Sequence, residues 1–191
     1  MNWRERLKLD LEPLLANPDP RGRLSAYHDM PYAIFHYPPE SEFDLRGELD
    51  LLTTRLENAG KRVTRISLAE CLFKAIEAEG YTERDMLDNE PVTGVQAMVD
   101  TIHSILESSQ PLVGLVAAHL PQDQDPTKDV VLLNRTGALF PVYRSHALLE
   151  QMRGLLKVPA VLFYPGQLDG PTGLSFMGAL DPDPNYRPRI F

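Results

Sequence analysis

The chain has 191 residues, 43% of them hydrophobic and 24% charged, the proportions of an ordinary globular protein able to bury a sizeable core. The 19 Lys and Arg stand against 27 Asp and Glu, a net charge of -8, which argues against autonomous nucleic-acid binding, where a basic footprint is needed. A single cysteine, Cys71, excludes an intramolecular disulfide and argues against a cysteine-based metal cluster. No apolar run approaches a signal-peptide core or the ~20 residues of a membrane span, so a cytoplasmic protein without membrane contact is expected.

Residues 2–16 set Leu7, Leu11, Leu14 and Leu15 at roughly helical spacing among charges, and predict a short amphipathic helix interrupted by Pro13. A loop follows through Asn17-Pro-Asp-Pro20. Residues 32–37 form a short apolar and aromatic run that reads as a buried strand. The acidic stretch 40–44 suits a helix start, and Leu45, Leu49, Leu52 and Leu56 mark the apolar face of a helix that Gly60 can cap.

Further along, residues 63–68 read as a second strand, 69–78 as a helix, and 81–90 as a polar helical or loop segment. Residues 92–108 read as one long helix with Val95, Met98, Val99, Ile102 and Leu106 inward. Residues 112–119 are expected to form a third strand, 129–134 a fourth, 140–156 a helix, 160–164 a fifth strand and 174–178 a short last one, before a proline-rich tail at 179–191. Such alternation implies right-handed βαβ crossovers. The expected fold is one three-layer α/β domain with a mainly parallel central sheet of about five strands, P-loop-like in topology but without a Walker motif.

Two strand segments nearly repeat: Ala33-Ile-Phe-His-Tyr-Pro-Pro39 and Ala160-Val-Leu-Phe-Tyr-Pro-Gly166. Proline donates nothing to a sheet ladder, so each strand is expected to stop near Pro38 and Pro165. Both ends would then emerge on the sheet edge where open α/β folds place ligands.

The loops at that edge do not suit phosphate. Pro38-Pro39-Glu40-Ser41-Glu42 supplies two prolines without N–H and two negative charges, where a phosphate cradle needs accessible N–H groups and a Lys. The only Gly-Lys pair, Gly60-Lys61, precedes the second strand and is no Walker motif. Gly166, Gly170 and Gly173 read as turn punctuation beside Pro165, Asp169 and Pro171.

His119 with Asp123, Asp125 and Asp129 reads as a solvated loop lacking the ligand order of a calcium site. His103, His28 and His36 show no obvious partner. Cys71 reads as a buried structural thiol. Arg144-Ser145-His146 opens a helix near the sheet edge, where Arg144 is expected to form a structural ion pair with Glu40, Glu42 or Asp169. Glu42 and Arg46, at i and i+4, support a helix start. No nucleophile-base pair emerges, and no catalytic residue, metal or cofactor is assigned.

Several segments together resemble one family. Tyr37-Pro-Pro-Glu-Ser-Glu-Phe-Asp-Leu-Arg46 and Ile66-Ser-Leu-Ala-Glu70 look like the N-terminal half of the BrxB family, small subunits of BREX bacteriophage-exclusion systems. Val131-Leu-Leu-Asn-Arg-Thr-Gly-Ala-Leu-Phe-Pro-Val-Tyr-Arg-Ser-His-Ala-Leu-Leu149, Val158-Pro-Ala-Val-Leu-Phe-Tyr-Pro-Gly166 and Asn185-Tyr-Arg187 are similar to its later segments. The likeness spans about residues 30–191. It makes Tyr37, Pro38, Glu40, Glu42, Arg46, Gly137, Arg144, His146, Tyr164, Pro165, Gly166, Asp169, Tyr186 and Arg187 the candidate signature and interaction positions.

The resemblance implies an antiviral-defence subunit without catalysis of its own. The alkaline-phosphatase-like PglZ is its first expected partner, the ATPase BrxC and the methyltransferase PglX are further ones, and homo-oligomerisation stays open. The alternative is a nucleotide- or small-molecule-binding protein with a degenerate NTPase fold, using the edge near Pro39, Gly137 and Gly166.

Overall fold

Strict two-residue alternation in the central strands sets the architecture. The computed structural model describes residues 1–25, 30–170, 173–179 and 188–191. In it, β1 (Tyr32–Tyr37), β2 (Arg62–Ser67), β3 (Asp129–Asn134) and β4 (Ala160–Asp169) form a parallel sheet in the order β2-β3-β4-β1. A short β5 (Gly173–Phe176) pairs antiparallel with the far end of β4, and β6 (Arg189–Ile190) adds parallel to β1.

Ala33, Phe35, Tyr37, Val130, Leu132, Val161 and Phe163 point to one face. Tyr32, Ile34, Val131, Leu133, Ala160, Leu162 and Tyr164 point to the other. Side chains alternate across a strand, so strands apolar at every position demand cover on both faces.

The first face is covered by the N-terminal arm and one long helix. The arm runs through α1 (Trp3–Arg6), a π-helical stretch Leu7–Leu11 and α2 (Glu12–Leu15), with a short α3 (Arg21–Leu24) beyond. Trp3, Leu7, Leu11, Leu14 and Leu15 pack with Leu45, Leu49, Leu52 and Leu56 of α4 (Glu42–Asn58). Pro13 does not interrupt the arm. The π turn before it shifts the register so that Pro13 falls at the start of α2, where no intrahelical N–H is required.

The other face carries α5 (Leu68–Ala78), α6 (Glu83–Thr93), α7 (Val95–Ser104) with a π-helical end Ile105–Ser109, α8 (Leu112–Ala117) and α9 (Ser145–Gln151). The result is the expected α/β fold with a mainly parallel sheet flanked by helices.

Four further local expectations are overturned. Residues 112–119 do not form a strand: Pro111 opens a helical turn, and Leu112 and Val116, four apart, are the buried pair. Residues 92–108 do not form one helix, because Gly94 at φ 83 separates α6 from α7, and Val95, expected inward, starts α7 exposed to solvent. Helix 140–156 shrinks to Ser145–Gln151, since the residue before Pro141 is driven out of the helical region.

Finally, β4 does not stop at Pro165. Tyr37 pairs with Pro165 as the last parallel partner, and Gly166 opposite Phe176 begins the antiparallel ladder. Pro165 thus sits at the junction of two pairings, and Gly166 lies inside the strand rather than in a turn, whereas Gly170, at φ 67, does lie in the turn that follows β4.

The arm is pinned by His36, for which the sequence showed no partner. Arg6 Nη1 lies 2.6 Å from His36 Nε2, and Arg6 Nη2 donates to the His36 carbonyl at 3.0 Å. Burial pushes the His36 imidazole below its ordinary value, with the Arg6 charge adding and a hydrogen bond to the Gly166 backbone opposing. A depressed imidazole stabilises fully above the unfolded value of about 6.5, and the contribution is lost as pH falls below it. Stability should therefore decline between pH 7 and pH 5.5, with this histidine adding at most about 1.4 kcal/mol per pH unit. In His36→Gln, thermal unfolding measured across that range should show a shallower slope; an unchanged slope would refute the assignment.

Candidate functional site

The connection leaving β1 crosses to β2 at one end of the sheet, whereas β4 leads through β5 to β6 on the opposite side. The crevice between the carboxyl ends of β1 and β4 is therefore a topological switch point. A cavity of about 260 Å³ lies there. Its walls are Pro39, Ala138, Pro165 and Met177, its charged groups are Glu42, Arg46 and Arg135, and Gly137 lies against Pro165.

Local chemistry places each group. Tyr37 ends β1 buried, and its hydroxyl donates to Glu42 Oε2; Arg46 Nε donates to Glu42 Oε1 at 2.9 Å. Both carboxylate oxygens are thus engaged, and the i,i+4 pair expected from sequence is formed. Burial and the adjacent Glu42 hold the Tyr37 phenol well above its usual value, so it remains a donor.

Pro38 leads into a 3₁₀ turn, Pro39–Ser41, with Glu40 exposed. On the β3 side, the Thr136 hydroxyl donates to the Phe163 carbonyl at 2.7 Å and fixes the turn Thr136–Leu139 that carries Gly137. Gly166 is buried tightly: a Cβ there would overlap the Ser175 carbonyl and come within 2.6 Å of the Tyr164 ring. Gly166→Ala is accordingly expected to destabilise by about 1–3 kcal/mol, read as a lowered midpoint in chemical unfolding.

Other sequence-predicted positions lie elsewhere. The one-residue offset between the two near-repeats pairs His36, not Tyr37, with Tyr164. Tyr164 therefore faces the opposite core from Tyr37, 5.1 Å from the Phe176 ring, and is not a surface residue of the edge. Arg144 is exposed at the start of α9 and, among the described residues, forms no ion pair with Glu40, Glu42 or Asp169.

Arg144 and His146 instead line a second cleft of about 340 Å³ with Val99, His103 and Glu107. His103 Nδ1 is 3.0 Å from the Val142 carbonyl, which ties α7 to the segment before α9, and its Nε2 is 3.4 Å from Glu107 one turn further along the same helix. Asp169 is exposed at the end of β4. Tyr186 and Arg187, with His28 and Pro171, lie outside the described residues.

The acidic loop is engaged in the fold. Asp129, 2% exposed, takes Arg62 through two hydrogen bonds of 2.7 and 2.8 Å and accepts from the Asp125 N–H at 2.8 Å. His119 follows a helix, with Nδ1 2.8 Å from the Leu115 carbonyl. Cys71 is buried, and desolvation pushes its thiol up. Among the described residues no group of three or more His, Cys, Asp or Glu is placed to hold a metal ion. No described helix is long and apolar enough to cross a membrane.

Sequence reasoning missed three contributors. Arg135 occupies a left-handed conformation at φ 56 and points into the first cavity. Phe43 is 79% exposed beneath Arg46, whose guanidinium lies 4.8 Å from the ring centroid. Met177 closes the cavity from beyond β5. A charged Arg-Thr-Gly turn directly after a strand was the available signal for Arg135; Phe43 and Met177 carried none.

A family model described as BREX protein BrxB matches residues 64–190, more than half of the chain. The chain belongs to the BrxB family. A Bacillus cereus (strain H3081.97) protein described as BREX protein BrxB is 26% identical over 180 residues, covering 93% of this chain and 92% of that protein. No solved structure matches the chain. The BrxB match encloses Arg135, Gly137, Pro165 and Met177 of the first cavity, while Pro39, Glu42 and Arg46 precede the matched span.

Proposed function

We propose that this BrxB-family protein is a non-enzymatic adaptor subunit of a BREX phage-defence complex. It binds the alkaline-phosphatase-like PglZ, with BrxC and PglX as further neighbours, and supports phage restriction and host DNA methylation through them. Family membership carries this reading.

The chemistry of the sheet edge supports it. A nucleotide site at a switch point presents N–H groups to phosphate, but Pro38, Pro39 and Pro165 have none, and Glu42 adds a carboxylate. Phe43 exposed beside Arg46 is instead the pairing enriched in protein interfaces.

Co-expression of the tagged protein with the other BREX subunits tests the role. PglZ is expected to co-purify with it, and deletion of its gene should abolish defence. A strictly monomeric protein that captures no BREX component, or intact phage resistance after deletion, would refute the reading.

The cavity at the switch point favours one second reading, a nucleotide or small-molecule site. Calorimetry with ATP, GTP and nucleoside monophosphates decides it, and absence of heat at millimolar ligand removes it.

A further inference from the structure

Resting on the adaptor reading, we propose that the cavity between β1 and β4 is a socket for one acidic side chain of the partner protein, gripped by Arg46 and Arg135 and flanked by Phe43.

Unspent donors point to this occupant. Arg46 uses Nε on Glu42, and its two terminal amino groups form no ion pair among the described residues. Glu42 has both oxygens engaged, by Arg46 and Tyr37, so it does not compete for those groups. Arg135 Nε is buried without a hydrogen-bond partner, and the ion pair of Arg135 with Glu70 is long at 4.0 Å.

Its left-handed backbone, φ 56, is an unfavourable conformation for a residue with a Cβ. Strain of this kind clusters where a side chain is held for a ligand. Two guanidinium groups facing one carboxylate leave the cavity positive, in a chain of net charge -8.

Size and lining select a side chain over a free ligand. At about 260 Å³ the cavity is smaller than most small-molecule pockets. Pro39, Pro165 and Met177 offer apolar walls with little hydrogen-bonding capacity. A guanidinium fork matches a carboxylate in two bonds, and dry walls strengthen such bonds. Phe43, exposed and stacked on Arg46, then covers an apolar neighbour of the inserted Asp or Glu.

The test measures affinity of the full chain for PglZ by calorimetry, with folding checked by thermal unfolding. Arg46→Met and Arg135→Met should each weaken binding at least tenfold, and Arg135→Lys should recover only part of the loss, because lysine lacks the fork. Arg144→Glu, in the second cleft, should leave affinity unchanged. Equal affinity of folded Arg135→Met and wild type would overturn the socket while leaving the adaptor reading intact. So would a loss confined to Arg144→Glu.

A wild-type chain that binds no BREX subunit would overturn both. Independently, an acetylated Leu-Glu-Phe amide should shift the Arg46 and Arg135 side-chain resonances at millimolar concentration, and the Leu-Gln-Phe peptide should not. Tighter binding of inorganic phosphate or ATP at the same resonances would refute the acidic-side-chain assignment.

Discussion

Replacing Tyr164 by alanine is expected to destabilise the protein by about 3–5 kcal/mol and to abolish defence through unfolding. Tyr164 is 1% exposed on β4, a strand paired on both sides, and its ring lies against Phe176. Truncation leaves a cavity beside Phe176 in that buried core. Total stability of a domain is about 5–15 kcal/mol, so the loss removes a large part of it. Thermal unfolding should show a midpoint lower by about 10 °C or more, whereas Tyr164→Phe, which keeps the ring, should retain most of the stability. An alanine variant that melts like wild type yet fails to protect would instead place Tyr164 in a binding surface.

The second large effect is expected at Lys61, read from sequence only as half of a Gly-Lys pair unfit for phosphate. Its ammonium, in a side chain 6% exposed, donates to the carbonyls of Asn17 at 2.5 Å, Thr127 at 2.8 Å and Pro18 at 3.2 Å. It thereby joins the end of the N-terminal arm to the start of β2 and the loop before β3. Burial lowers its proton affinity, and Asp19 and Asp125 oppose that shift.

Lys61→Met leaves three carbonyls without their donor, and hydrogen bonds to a charged group are worth about 1.5–3 kcal/mol. Partial rehydration offsets some of this, so a loss of about 2–4 kcal/mol is expected. In urea unfolding the midpoint should fall with the slope unchanged, and the arm should become the first site of proteolysis. A change under about 0.5 kcal/mol would show that water replaces the clamp.

Features encoded by neighbours in sequence were legible. The bounds of β1 and β3, the four-leucine stripe of α4 and the Glu42–Arg46 pair depend on spacings of two to four positions. The failures arose where a short apolar run suits either a strand or a helix, as at 112–119, or where a proline changes role with its partner strand, as at Pro165.

The candidate site shows the same division. Tyr37, Glu42 and Arg46 lie within one strand-to-helix turn, and their mutual contacts follow from it. Arg135 reaches them only because β3, β4 and β1 are adjacent in the sheet.

The α/β class with its two-sided parallel sheet, the net negative charge and the BrxB family are written in the order of residues, because alternation, charge and motif order are properties of the linear chain. Tertiary structure alone decided that the N-terminal arm joins the core, that the two Tyr-Pro segments pair one residue out of register, and that two arginines share one cavity. Those outcomes depend on register and strand order, and a one-residue slip in a sheet sends every side chain to the other face.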